Sequence, residues 1–134
     1  MRITREFIRQ HQFHKVEQVI IDVADEQKSL EHHAAIVQNA EDILQSFGLP
    51  YRVVNVCGGD LGVPQVMKYD IECWMPSRDS YGETHSASRF HDFQSRRLNL
   101  RYRGKDSKRP LFCHTLNNTV VASPRLLIPL LEMH

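Results

Sequence analysis

The chain has 134 residues, enough for one domain with a real core, and a formal net charge of +1. Hydrophobic residues at 41% and charged residues at 25% describe an ordinary globular composition, and the near-neutral balance argues against a general nucleic-acid binder while leaving room for local basic clusters. No apolar run is long enough to cross a bilayer. The three cysteines, Cys57, Cys73 and Cys113, are widely spaced, with no Cys-x-x-Cys pair. That suits a reducing compartment, and the eight histidines fall in no zinc spacing, so no zinc is assigned.

In chain order, residues 9–21 read as a long strand. Phe13, Lys15, Glu17, Val19 and Ile21 share one parity; His14, Val16, Gln18 and Ile20 share the other. Either Lys15 and Glu17 are a solvated pair, or Phe13 and Glu17 face a ligand. Asp22 to Glu26 breaks the strand. From Gln27 to Phe47 the spacing is helical, with Leu30, Ala34, Val37, Ala40, Leu44 and Phe47 as the inward stripe. Gly48 stands where a helix-ending glycine belongs and Pro50 prevents continuation.

Residues 51–57 form a strand by residue type, ending at the tight connection Gly58-Gly59-Asp60-Leu61-Gly62, which lacks the Lys-Ser/Thr of a phosphate loop. Lys68 to Pro76 is the next strand, with Asp70, Glu72 and Trp74 on one face and Ile71, Cys73 and Met75 on the other. Tyr81, Glu83 and His85 then alternate with Gly82, Thr84 and Ser86. A carboxylate followed by hydroxyls on a strand holds Mg²⁺ and, through it, a phosphate chain. Equally, this is a polar strand running into a helical turn capped by Asp92. A strand over 98–103, a basic turn over 104–110, a strand over 111–116 and an Asn117-Asn118-Thr119 turn follow. Val120 to His134 reads as a helix with Leu126, Leu127, Leu130 and Leu131 inward. Arg125 near its start suits a terminal phosphate.

The order Glu83-x-x-Ser86-x-Ser88, then Asp92-Phe93-Gln94-x-Arg96-Arg97, resembles the class II seryl-tRNA synthetase signature. So do His11-Gln12-Phe13-x-Lys15-Val16-Glu17, the second strand of motif 2, and His114-Thr115-Leu116-Asn117-x-Thr119-x-x-Ala122-x-x-Arg125, motif 3. The resemblance covers essentially the whole chain, 1–134, read as a single domain: the C-terminal half of such a catalytic domain. It implies an α+β fold, an antiparallel sheet of about five or six strands flanked by helices.

It also implies roles. Phe13 stacks on adenine, Glu17 holds the ammonium of the amino acid, and Thr119 recognises the serine side chain. Glu83 and Ser86 hold Mg²⁺ with ATP, and Arg125 binds the γ-phosphate. Asp70 and Glu72 are carried toward the site. The implied partners are ATP, L-serine and tRNA(Ser), with association into a homo- or hetero-oligomer.

Departures from the pattern carry further expectations. Arg89 stands where the family has Asn and should crowd the pocket; His85 replaces a small hydroxyl residue. Thr119 with Ala122, Pro124 and Arg125 is similar to the animal mitochondrial branch, so a mitochondrial location is expected, with a cytoplasmic alternative. Nothing corresponds to the tRNA-binding arm, to motif 1 or to the motif 2 Arg that grips the α-phosphate. The isolated chain is therefore expected to be inactive until another chain completes the site. The alternatives are a non-catalytic assembly subunit and an activator that charges a carrier protein.

Overall fold

The computed structural model describes residues 8–105 and 107–134. In chain order the elements are β1 (Lys15–Asp22), α1 (Glu26–Ser46), β2 (Tyr51–Asn55), β3 (Met67–Met75), β4 (Ser80–Arg89), α2 (Phe93–Leu98), β5 (Arg101–Tyr102), β6 (Leu111–Phe112), β7 (His114–Ala122) and α3 (Ser123–Met133). Five strands make one antiparallel sheet in the order β1-β7-β4-β3-β2, and β5 pairs with β6 as a small hairpin. No helix among the described residues is long and apolar enough to cross a membrane.

The helix α1 covers one face of the sheet. Ile36, Val37, Ala40 and Leu44 meet Ile71 and Cys73 of β3, Ala87 of β4 and Leu116 of β7. Each large aliphatic side chain buried in this way contributes about 1.5–3 kcal/mol. The start of α1 is capped by Asp25, which accepts from the Lys28 amide at 3.0 Å. At its end, Gly48 adopts φ +64, the Gly48 amide donates to Gln45 O and the Leu49 amide to Leu44 O. That is a Schellman ending, and it needs a residue without a Cβ penalty at position 48.

The inward stripe of α1 departs from the apolar reading at Phe47, which is exposed, and over its first half. Leu30 and Ala34 are exposed, and the buried positions there are Ser29 and His33. Two polar contacts set this phase. His33 Nε2 bonds Ala87 O at 3.1 Å, and Ser29 Oγ accepts from Arg89 at 3.0 Å. Other elements differ as well: the strand expected over residues 9–21 begins only at Lys15, and the one expected over residues 51–57 ends at Asn55. Residues 93–98 form α2, ended by Asn99 in the left-handed region, leaving only Arg101–Tyr102 as strand. Asp92 stands at the N-cap position of α2 without a side-chain cap bond and pairs with Arg96 instead. The Asn117-Asn118-Thr119 segment is strand interior, because Asn118 Nδ2 reaches across to Ile36 O at 2.5 Å. In α3 the buried side chains are Pro124, Leu126, Ile128 and Pro129, whereas Leu127 and Leu131 face outward.

Two bulges shape the other face of the sheet. Between β3 and β4, Ile71 pairs with His85 but Glu72 with Glu83, which leaves Thr84 unpaired. Between β1 and β7, Val16 pairs with Val121 but Glu17 with Thr119, which leaves Val120 unpaired. An extra residue reverses the alternation of side chains beyond it. Residues three apart thus come to one face: Glu83 with Ser86, and Thr119 with Ala122.

Candidate active site on the open sheet face

Opposite α1, the sheet carries a cavity of about 180 Å³ lined by Phe13, Lys15, Glu83, Thr84, Ser86, Thr119, Ala122 and Arg125. Phe13 and Lys15 come from β1 and the residues leading into it, and the two bulged strands supply the next five. Arg125 sits in the first turns of α3. The strand β7 runs directly into that helix; Pro124 at its start removes no helical hydrogen bond, and the Ser123 amide donates to His14 O at 3.0 Å. This tie holds the Arg125 turn against the segment bearing Phe13.

Two charge pairs occupy the site. Glu17 Oε2 lies 2.8 Å from Lys15 Nζ and accepts from Thr119 Oγ1 at 3.2 Å, directly across the β1–β7 pairing. Glu83 Oε1 lies 2.9 Å from Arg125 Nη1. Of the six residues singled out by the sequence, Phe13, Glu83, Ser86, Thr119 and Arg125 line the cavity, and Glu17 stands beside it, joined through its bond to Thr119. Asp70 and Glu72 share this face but stand outside the cavity lining. Lys68 Nζ holds Asp70 at 2.9 Å, and Arg52 Nε holds Glu72 at 2.7 Å. Burial pushes the Asp70 carboxyl up, opposed by its bond to Lys68, and the nearby Glu83 charge adds to the rise.

Arg89 does not crowd the cavity. It shares the face of Ala87, is buried beneath α1, and bonds Ser29 and Glu26. His85 is also turned inward, 2.8 Å from Thr84 Oγ1, and burial lowers its pKa so that the ring is held neutral. Lys15 is the residue the sequence reading left outside the site. Its parity with Phe13 and Glu17 was the available signal. Thr84 reaches the lining through the bulge, which alternation does not show.

The chemistry of the patch follows. A carboxylate backed by a hydroxyl receives an ammonium, an exposed aromatic ring receives a flat base, and a carboxylate, a hydroxyl and an arginine receive a metal-bound phosphate chain. Glu83 and Ser86 offer hard oxygens, which suits Mg²⁺ that takes its remaining ligands from phosphate and water. Among the described residues, no group of three or more His, Cys, Asp and Glu side chains is placed to hold a metal.

An antiparallel sheet with flanking helices and this site on its open face has the architecture of a class II aminoacyl-tRNA synthetase catalytic domain. Residues 2–134 match the tRNA synthetase class II core domain (G, H, P, S and T), and the chain belongs to that family. Serine–tRNA ligase of Deinococcus radiodurans is 50% identical over 133 residues, which is 99% of this chain and 31% of that protein. Serine–tRNA ligase of Thermococcus onnurineus is 48% identical over 131 residues, 98% of this chain and 28% of that protein. The seryl-tRNA synthetase of Pyrococcus horikoshii, solved in complex with ATP, superposes with a TM-score of 0.90 at 46% identity over 96% of this chain and 28% of that one. The cytoplasmic serine–tRNA ligase of Naegleria fowleri, solved with AMP, gives 0.87 at 39% identity, covering 95% of this chain and 30% of that one. The chain therefore spans roughly a third or less of the length of these relatives.

Proposed function

We propose that the open sheet face is the ATP- and serine-binding part of a seryl-tRNA synthetase site, serving ATP-dependent activation of serine and its transfer to tRNA(Ser). Glu17 receives the ammonium of serine and Thr119 contacts its hydroxyl. Phe13 receives the adenine. Glu83 and Ser86 hold Mg²⁺ on the phosphates, and Arg125 takes the terminal phosphate. When bound, Mg²⁺ supplies charge neutralisation along the phosphate chain; the residues of the chain orient the two ligands toward one another.

The observation that carries this reading is the Glu17–Thr119 bond, 3.2 Å long, on the same face as the Glu83–Arg125 pair. An amino-acid pocket and a phosphate pocket thus adjoin on one surface. Val19 and Ile21 continue that face along β1 and are exposed, as are Leu127 and Leu131 on α3, which favours association with further protein.

The test is calorimetric titration of L-serine into the protein and into Glu17→Gln. Serine should bind the parent protein, and the variant should lose at least tenfold in affinity, because an ammonium then faces a neutral amide. Equal affinity in both would refute the assignment. Where the chain is isolated with a partner polypeptide, the pair should support serine-dependent ATP–pyrophosphate exchange.

A further inference from the structure

Both oxygens that the proposed reading reserves for ligands already carry an internal cation, and at Glu17 that cation has the shape of the ligand. Lys15 Nζ is a compact ammonium with three donors, placed 2.8 Å from the carboxylate oxygen that also accepts from Thr119. A substrate ammonium bound to Glu17 must compete with Lys15 for that oxygen.

We propose that Lys15 is a displaceable counterion: it neutralises Glu17 in the empty site, yields that place to the ammonium of serine, and turns to the anionic groups of the bound nucleotide. This rests on the reading of Glu17 given above and adds a positioning residue to it. Three observations support it. The Lys15 and Glu17 side chains are 41% and 28% exposed, so their pair is weak and its exchange costs little. Lys15 lines the same cavity as Glu83, Ser86 and Arg125, so the freed ammonium remains within the site. Finally, Lys15 and Glu17 share one face of β1, roughly 6.6 Å apart along the strand, and Phe13, two residues before Lys15, lines the same cavity. A base on Phe13 and an ammonium on Glu17 leave Lys15 midway, where the carboxylate and the phosphate meet.

The consequence is a coupling between two ligands. Serine releases a cation that ATP uses, and by linkage ATP raises the affinity for serine by the same factor. No covalent step is required of Lys15.

The experiment is titration of L-serine, with and without Mg-ATP, into the parent protein, Lys15→Met and Glu17→Gln. Without nucleotide, Lys15→Met should bind serine roughly two- to fivefold more tightly than the parent, the range set by a weak exposed ion pair. With Mg-ATP present that order should reverse, because the variant lacks the cation that couples the two ligands. A merely structural role would weaken both measurements together. Unchanged or weaker serine binding by Lys15→Met without nucleotide overturns the counterion role. Full serine binding by Glu17→Gln overturns the underlying site, a distinct failure seen in a different variant. Should Lys15→Met not fold, the Lys15 side-chain resonances of the parent protein decide: they should shift on addition of serine, and fixed resonances at saturating serine refute the displacement.

Discussion

The ion pair between Arg89 and Glu26 is asymmetric in burial, and this makes a sharp prediction about which partner is more costly to remove. The Arg89 side chain is 4% exposed and that of Glu26 57%. Arg89 donates to Glu26 Oε1 at 2.5 Å and to Ser29 Oγ at 3.0 Å, and Ser29 is itself buried. Glu26→Met keeps the side-chain volume and leaves a buried guanidinium without its carboxylate, bonded to Ser29 and with only long contacts to Met67 Sδ and His91. Stranding a charge in this way costs about 3 kcal/mol, the low end for a buried pair, since His91 and Ser29 remain nearby. Arg89→Met instead leaves Glu26 in water, with His91 still 2.7 Å away, and orphans only the Ser29 hydroxyl, a loss of about 1–2 kcal/mol. In urea titrations, with a slope of about 1–3 kcal/mol per M, the midpoint of Glu26→Met should fall below that of Arg89→Met by about 0.3–2 M. Equal losses, or a larger loss for Arg89→Met, would refute this account of the α1–β4 junction. Because Arg89 faces α1, Arg89→Met should also leave serine affinity unchanged while the protein is folded.

Other expectations follow from the same geometry. Thr119→Val removes the hydroxyl bonded to Glu17 and should weaken serine binding by roughly threefold to tenfold, read by calorimetry, with ATP affinity unaltered. Glu83→Ala frees Arg125 and deletes a metal oxygen, so ATP without Mg²⁺ should bind more tightly than to the parent protein and Mg²⁺ should no longer improve it. Burial lowers the pKa values of His33, His85 and His114 below the usual 6.5, so the folded chain holds them neutral while the unfolded chain takes up protons. Stability should therefore fall as the pH drops below about 6.5. Glu26, whose carboxyl is lowered by its bond to Arg89, adds a further loss below about 4.5. Urea midpoints at pH 7.5, 5.5 and 4 should decrease in that order.

Much of this was legible in residue order. The strands β2, β3 and β4 and the helix α1 follow from alternation, residue type and the Gly48 ending. What alternation could not show were the two bulges. Counting by twos puts Glu83 and Ser86 on opposite faces, yet one unpaired residue, Thr84, brings them together. The same holds for Thr119 and Ala122 around Val120. The phase of α1 escapes an apolar count for a related reason: in its first half Ser29 and His33 are the buried residues, each satisfied by β4. Arg89 looked like an intruder in the pocket, because a buried arginine with a partner sixty-three positions away is invisible to local patterning. Asn117 and Asn118 carry turn propensity, which strand pairing and the bond to Ile36 O override.

The most direct test of the central claim is a crystal structure with a non-hydrolysable serine–adenylate analogue. The ammonium should lie on Glu17, the serine hydroxyl at Thr119 and the adenine over Phe13, with Lys15 turned away from Glu17 toward the bridging group. An analogue bound elsewhere on the molecule, or lying reversed with its base toward Glu17, would contradict it.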